Sequence, residues 1–488
     1  MDALVDSMFK FVEQPMLLQG NFAPVNEIGE TVVVPSIEGE IPKDFPEGVY
    51  IRNGPNPIFA DKTAAISIFG KSTLLWFEGD GMLHATYFSK DERENWVVTY
   101  KNRYVEAETF MVEKEKKKAL FLPATEGDSS AVVAAYILNL LRFGKVNKDL
   151  NNTNLFKHAG KVYSITENHM PYEVDVSNLE TLNDWELKDA WNRPFTSHPK
   201  VYMKTGEMVA MGIDAKKPYY VLGIISADGK KLIHKVDLKF EKSTLSHDLG
   251  VTENYNIIID YPLIIDVGRL IRGGSLIKYE RDQRARIGVM PRYGDVESVI
   301  WFSIKNHCTF HIINSFEEGD EVVVIGCRAI GSIFPGPDHG TNKQEWFRRA
   351  FRPVSAVTEG FDPSVDGVVF PRPYEWRLNV KTGAVKEGYL TGTNFAMDFP
   401  TINDTFMGMK NKYCYTQVLD SVQSSKTGLS AFNLFAKLYF EERKKPVIKE
   451  GEDWIKVEYH VLEENQFCSG LHFIPKPGGI DEDDGSHN

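Results

Sequence analysis

The chain has 488 residues, a formal net charge of −12, 42% hydrophobic and 25% charged residues. These fractions allow a sizeable core and exclude global disorder, and the acidic balance argues against a general nucleic-acid binder. Four cysteines, Cys308, Cys327, Cys414 and Cys468, form no Cys-x-x-Cys pair. That excludes the usual zinc-ribbon and disulfide-scaffold patterns and points to free thiols in a reducing compartment.

In chain order, residues 1–18 place Leu4, Val5, Met8, Phe9, Phe11, Val12, Met16 and Leu17 at mostly helical spacing. They predict an amphipathic arm packed on the body, with a membrane surface as the alternative. No secretory signal and no Ser/Arg-rich leader opens the sequence. As written it reads as cytoplasmic, and as plastidial (stroma or membrane surface) if a leader is missing. From Val32 onward strand signals dominate, with Val49–Arg52, Asn256–Asp260, Pro262–Asp266 and Glu321–Gly326 as short Val/Ile-bearing runs. Lys114–Lys118 reads as a solvated loop. The segment Ala131–Phe143, within an apolar insertion at about 130–143, predicts a helix with Ser129 or Ser130 as N-cap and Gly144 as stop. It is apolar nearly all round, so it must bury in protein or dip into lipid, and no stretch reaches the roughly 18 apolar residues of a membrane span. Turn words Lys204-Thr205-Gly206-Glu207, Ala227-Asp228-Gly229-Lys230 and Lys381-Thr382-Gly383-Ala384 suit hairpins between antiparallel strands. With no convincing linker, residues 1–488 are expected to form one all-β domain: a sandwich, barrel or propeller, with length favouring the propeller.

Three histidines sit beside strand-like runs, in Thr-Ser-His198-Pro-Lys-Val-Tyr, Ser-His247-Asp-Leu-Gly-Val and Thr-Phe-His311-Ile-Ile-Asn. They are separated by 49 and 64 residues, roughly the length of one four-stranded blade. Successive blades could each send one imidazole to a common axis, where iron, zinc or copper would all be acceptable. A lone strand histidine is more often structural, so the spacing alone is weak. His307 lies four residues before His311 and could share its face, but at ~13 Å along an extended strand it cannot join the same ion. His169 lies close in sequence to Glu167, and His158, His234, His339 and His460 carry no motif.

The words around the histidines carry more. Ile51-Arg52-Asn53-Gly54-Pro55-Asn56-Pro57 and Glu78-Gly79-Asp80-Gly81-Met82-Leu83-His84 resemble the opening of the carotenoid cleavage oxygenase family. Thr196-Ser197-His198-Pro199-Lys200, His247-Asp248 with Thr252-Glu253-Asn254-Tyr255, and Phe310-His311-Ile312-Ile313-Asn314-Ser315 resemble its metal-ligand segments. The match runs over nearly the whole chain and is similar to the plant branch, zaxinone-synthase-like enzymes beside the 9,10-cleaving group. It implies a seven-bladed β-propeller with a few helical insertions capping one face. It also implies Fe(2+) on histidines, molecular oxygen as co-substrate, and a carotenoid or apocarotenoid cleaved at a 9,10- or 13,14-type double bond. His198, His247 and His311 are the implied ligands, and His84 belongs to a structural segment. The family's fourth ligand lies in a Gly-Phe-His-Gly-like segment beyond residue 488, so a C-terminally shortened chain with an incomplete last blade is expected. His472 and His487 are poor substitutes.

The resemblance also implies three carboxylates behind the imidazoles: Glu167, Glu375 and Asp398. Glu167 and Glu375 are expected to reach a ligand ring, directly or through one water. Asp398, an Asp where many relatives carry Glu, is expected to point inward but fall short. Such partners fix ring tautomer and orientation. No nucleophile elbow or phosphate-binding glycine loop is present, in keeping with chemistry carried by a metal. Two other classes compete: a catalytically impaired apocarotenoid-binding propeller, because the fourth ligand is missing, and a three-histidine zinc hydrolase with an open position, which the resemblance disfavours. Peripheral membrane contact is a further expectation.

Overall fold

The structure, a computed structural model, describes residues 2–13, 20–75, 77–334, 343–352, 368–443 and 452–487. Its contacts divide the chain into two compact units, residues 1–197 with 266–276, and residues 198–265 with 277–488.

In the second unit, four antiparallel sheets of four strands follow one another along the sequence. Their first strands are Lys200–Tyr202, Gly250–Val251, Cys308–Glu318 and Ala396–Thr401. A three-stranded sheet (Ser243–Thr244, Leu263–Ile265, Ile277–Tyr279) and a two-stranded one (Phe473–Pro475, Gly485–His487) complete the set among the described residues. The sheets pack face to face because their inner strands are apolar on both sides, as burial between two layers requires. Ile257 and Ile259 face a cluster with Val322, Val324 and Trp376, whereas Ile258 faces one with Met211 and Leu222. Val323 and Ile325 face a third with Val418 and Leu438. The two-residue side-chain period thus feeds adjacent cores from one strand.

The turn words behave as expected: Gly206, Gly229 and Gly383 take φ of 72°, 71° and 74°, which a side chain disfavours. Val49–Arg52, Asn256–Asp260 and Glu321–Gly326 lie within strands, whereas only Leu263–Ile265 of Pro262–Asp266 does, with Asp266 capping the helix that follows.

In the first unit, three four-stranded antiparallel sheets are joined by helical segments. The predicted amphipathic arm is only partly helical. Asp2–Met8 is a helix, but Phe9–Val12 forms a strand paired with Ala64–Ser67, and Met16 and Leu17 lie outside the described residues. The Phe-Lys-Phe-Val alternation suits that edge better than a helix. Val5 and Phe9 are buried with Ala65, Leu122 and Ala135, so the arm packs on its own unit. Lys114–Lys116 end a helix, Glu108–Lys116, closed by Lys117 in the left-handed region, rather than forming a loop.

The apolar helix spans Ser129–Phe143 and stops at Gly144 (φ 68°), whose N–H donates to the Leu140 carbonyl. Its N-cap is Asp128 rather than a serine. The Ser129 and Ser130 hydroxyls donate instead to the carbonyls of Gly274 and Phe69. Ala131, Val132, Ala135 and Asn139 are buried, while Ile137, Leu140 and Leu141 are 50%, 46% and 63% exposed. One face meets protein and the other remains bare.

Candidate metal centre

All three predicted histidines lie in the second unit, each on an irregular piece of backbone. His198 stands two residues before the strand Lys200–Tyr202, and His247 lies between the strands Ser243–Thr244 and Gly250–Val251. His311 is within Cys308–Glu318, where the pairing with Glu321–Ala329 shifts register between Thr309 and Ile312 and again before Asn314. Such bulges re-aim a side chain away from the regular pleat.

The three imidazoles converge, with one ring nitrogen from each within 4.8 Å of the others. The Nε2 atoms of His198 and His247 are 2.9 Å apart. Two nitrogens at the ~2.0–2.1 Å of a metal–imidazole bond, at right angles on one ion, would be ~3 Å apart, so the donor set fits a shared ion. Ring centroids are 4.6 to 5.4 Å apart. The Phe310 ring stacks on His247 at 4.6 Å, and Phe399 lies 4.9 Å from His311. Burial, followed by the neighbouring His247 and His311, pushes His198 well below the usual histidine range, which keeps its lone pair available for a metal.

The acidic residues divide. Asp398 does not fall short: its Oδ1 is 2.7 Å from His311 Nδ1. The Ala396–Thr401 strand shifts register between Asp398 and Thr401, and Phe399 takes a left-handed φ of 52°, so a bulge supplies the reach the shorter side chain lacks. Burial lowers the His311 pKa, but Asp398 more than offsets this and raises it overall. Glu375 differs from expectation in the opposite sense. Its carboxylate accepts from Arg443 at 2.6 Å, with Arg377 at 3.8 Å, rather than from an imidazole. Strand alternation places Glu375 and Arg377 on one side of Arg372–Asn379, with Tyr374 and Trp376 in the core on the other. Glu167, in the first unit, accepts from the hydroxyl of Ser197, the residue before His198, at 2.6 Å and from its N–H at 3.4 Å.

Residues set aside at the sequence level fall elsewhere. His307 is fully buried between Tyr261 and Trp376 with Nδ1 2.8 Å from the Thr309 hydroxyl, and it stands outside the three-histidine group. His84 pairs with the Tyr100 hydroxyl at 2.6 Å, and burial with Arg52 nearby lowers its pKa to about 4. His472 is exposed and outside the group, and the His487 side chain and His339 lie outside the described residues.

The motif words gain physical roles. Thr252 and Asn254 hold the Glu317 carboxylate through three bonds of 2.6 to 2.9 Å. Asn314 Nδ2 donates to the carbonyls of Phe406 and Met409. At the sequence level Lys200, Asp248, Phe310 and Phe399 have no assigned task. Their adjacency to ligand histidines or to Asp398 was the available signal.

The family model described as retinal pigment epithelial membrane protein matches residues 22–486. The carotenoid 9,10(9',10')-cleavage dioxygenase 1 of Phaseolus vulgaris is 32% identical, over 99% of this chain and 84% of its own length. Among solved structures, Pseudomonas brassicacearum lignostilbene dioxygenase has the same fold at TM-score 0.74 and 22% identity, covering 97% of this chain and 90% of its own. Cobalt-substituted Synechocystis apocarotenoid oxygenase follows at TM-score 0.69 and 19% identity, covering 97% and 87%. These likenesses, with the four-stranded antiparallel sheets, establish the expected β-propeller class. The chain therefore belongs to the retinal pigment epithelial membrane protein family, which includes the carotenoid cleavage dioxygenases.

Proposed function

We propose that this chain is a non-haem Fe(II) dioxygenase that cleaves one conjugated double bond of a carotenoid or apocarotenoid, at a 9,10- or 13,14-type position, giving two carbonyl products. The convergence of the three imidazoles is the observation that carries it, together with a relative named for 9,10 cleavage and a related enzyme solved with cobalt.

Neutral imidazoles donate no ligand charge and suit Fe(II), and the bound metal would supply the redox chemistry that lets molecular oxygen react with an alkene. His198, His247 and His311 would hold it. Asp398 Oδ1 accepts a hydrogen bond from the Nδ1–H of His311, which keeps the proton on Nδ1, leaves Nε2 as the atom that would bind the metal, and fixes the ring plane. Phe310 and Phe399 give the centre apolar edges suited to a polyene. No protein nucleophile is required. Burial raises the pKa of the Cys308, Cys327 and Cys414 thiols and keeps them protonated. The reaction balances as one C=C plus O2 giving two C=O, with both oxygen atoms retained.

The impaired-binder reading is not favoured, because the curated relatives are named as cleavage dioxygenases. For delivery of an apolar substrate, the bare face of Ser129–Phe143 and exposed Ile271 on the adjacent helix Val267–Ile271 support peripheral contact with a lipid surface. The iron-loaded protein should consume oxygen with an apocarotenal and place label from 18O2 in both products. Iron bound at the site without oxygen uptake on any apocarotenoid offered would refute the proposal.

A further inference from the structure

One carboxylate touches all three ligand segments. Asp248, directly after His247, is 3% exposed. Its Oδ1 accepts from the N–H of Leu249 at 2.7 Å and lies 2.8 Å from Lys200 Nζ. Its Oδ2 accepts from the N–H of Ile312 at 2.8 Å and from Lys200 Nζ at 3.0 Å. Lys200 stands two residues after His198, and Ile312 follows His311. The Ile312 N–H lies where the strand departs from regular pairing.

We infer that Asp248 is the positioning residue of the centre: a single buried anion that ties the backbones carrying His198, His247 and His311 into one arrangement. The inference rests on the reading of these histidines as metal ligands. Its physical basis is that none of the three is set by a regular ladder. His198 and His247 lie outside strands, and His311 sits on a bulge. Left to themselves, such segments would each have to be ordered when a metal binds. A carboxylate can accept about four hydrogen bonds at once, and Asp248 spends them on the Lys200 ammonium, which approaches both oxygens, and on two backbone N–H groups. Charge-assisted bonds to a buried ion pair are stiff and costly to break on one side. The neutral amide cannot replace it. Whichever way Asn is turned, its NH2 faces either the Leu249 N–H or the Ile312 N–H, donor against donor, and Lys200 loses its counter-charge.

The test titrates the metal-free protein with cobalt(II), following the visible absorption bands and the melting temperature of the metal-free form. Asp248→Asn should weaken cobalt binding by about 10–100-fold, the range for outer-sphere partners of metal ligands, and shift the bands, because the relative placement of the rings changes. Glu317→Gln is the comparator: that carboxylate also ties the strand Cys308–Glu318 to a loop, through Thr252 and Asn254, but it meets no residue adjacent to a ligand histidine. It should lower the melting temperature and leave affinity and bands as in the parent. If Asp248→Asn melts earlier but binds cobalt with parental affinity and spectrum, Asp248 is merely structural and the inference fails. Equal weakening of cobalt binding by Glu317→Gln would overturn it as well. Should Asp248→Asn fail to fold, the neutral pair Asp248→Asn with Lys200→Gln leaves no buried unpaired charge. Parental affinity in that pair would likewise sink the inference, whereas weakened binding with shifted bands supports it. His311→Ala separates the two levels: if it binds cobalt like the parent, the metal-ligand reading itself is wrong and the inference goes with it.

Discussion

His307 and His311 lie four residues apart on one stretch of chain, and both are enclosed by protein, yet their surroundings differ in kind. His307 is sealed by Tyr261 and Trp376, with only the Thr309 hydroxyl at its Nδ1. Burial and the nearby Arg328 push its pKa well below the usual range. His311 has a carboxylate behind it and two further imidazoles beside it. A buried histidine therefore becomes a candidate ligand through an anion on one ring nitrogen and convergence at the other, and not through enclosure. The acids follow the same logic. Asp398 faces an imidazole, whereas Glu375 faces Arg443 and serves packing.

The largest effect should come from the ligand itself. His311→Ala is expected to abolish tight metal binding and turnover together, exceeding the about 10–100-fold loss typical of an outer-sphere change. Metal content after gel filtration and oxygen uptake would read it, and full retention of iron would break the comparison. Next, Asp398→Asn should lower metal affinity about 10–100-fold with folding preserved, since it removes the anion that orients the ring. Isothermal titration of the metal-free protein decides, and unchanged affinity would reduce Asp398 to a spectator.

Glu375→Gln should lie on the other side of the divide. Metal affinity should stay as in the parent, while stability drops by about 1 kcal/mol from the weakened pair with Arg443, itself half exposed. Urea melts with metal titration would show a sharp failure if affinity fell with stability. His307→Phe should also spare metal binding and cost about 1 kcal/mol for the lost bond to Thr309.

The smallest effect is in pH dependence. A histidine depressed below 6.5 in the folded state binds its proton less readily there than when unfolded. Its stabilising contribution is present above 6.5 and lost as pH falls through the depressed folded value. His307→Phe should therefore flatten the acid-side stability loss of metal-free protein. For His311, whose folded pKa is raised, the contribution is present below 6.5 and lost as pH rises through the folded value. His311→Ala should remove that alkaline-side loss, so the two variants bend the stability profile in opposite directions. Parallel profiles would erase the distinction.

The local grammar of the chain decided much. Short Val/Ile-bearing runs, glycine turn words and the length of the chain led to the antiparallel strands and hairpins actually found. The words around His198, His247 and His311 were enough to single out those three from twelve histidines. Such signals are legible because they depend on neighbours in sequence: a pleat's period, a glycine's freedom, a motif's spacing. The sequence did not show that Phe9–Val12 would leave the helix for a sheet edge, that a bulge would carry Asp398 to His311, or that Arg443 would claim Glu375. Nor did it show that Asp248 would gather Lys200 and the Ile312 N–H. Each of those depends on partners 48 to 87 residues away. A pairing between distant residues is fixed by how whole sheets stack, and burial makes every polar group there find the partner that the stacking brings within reach.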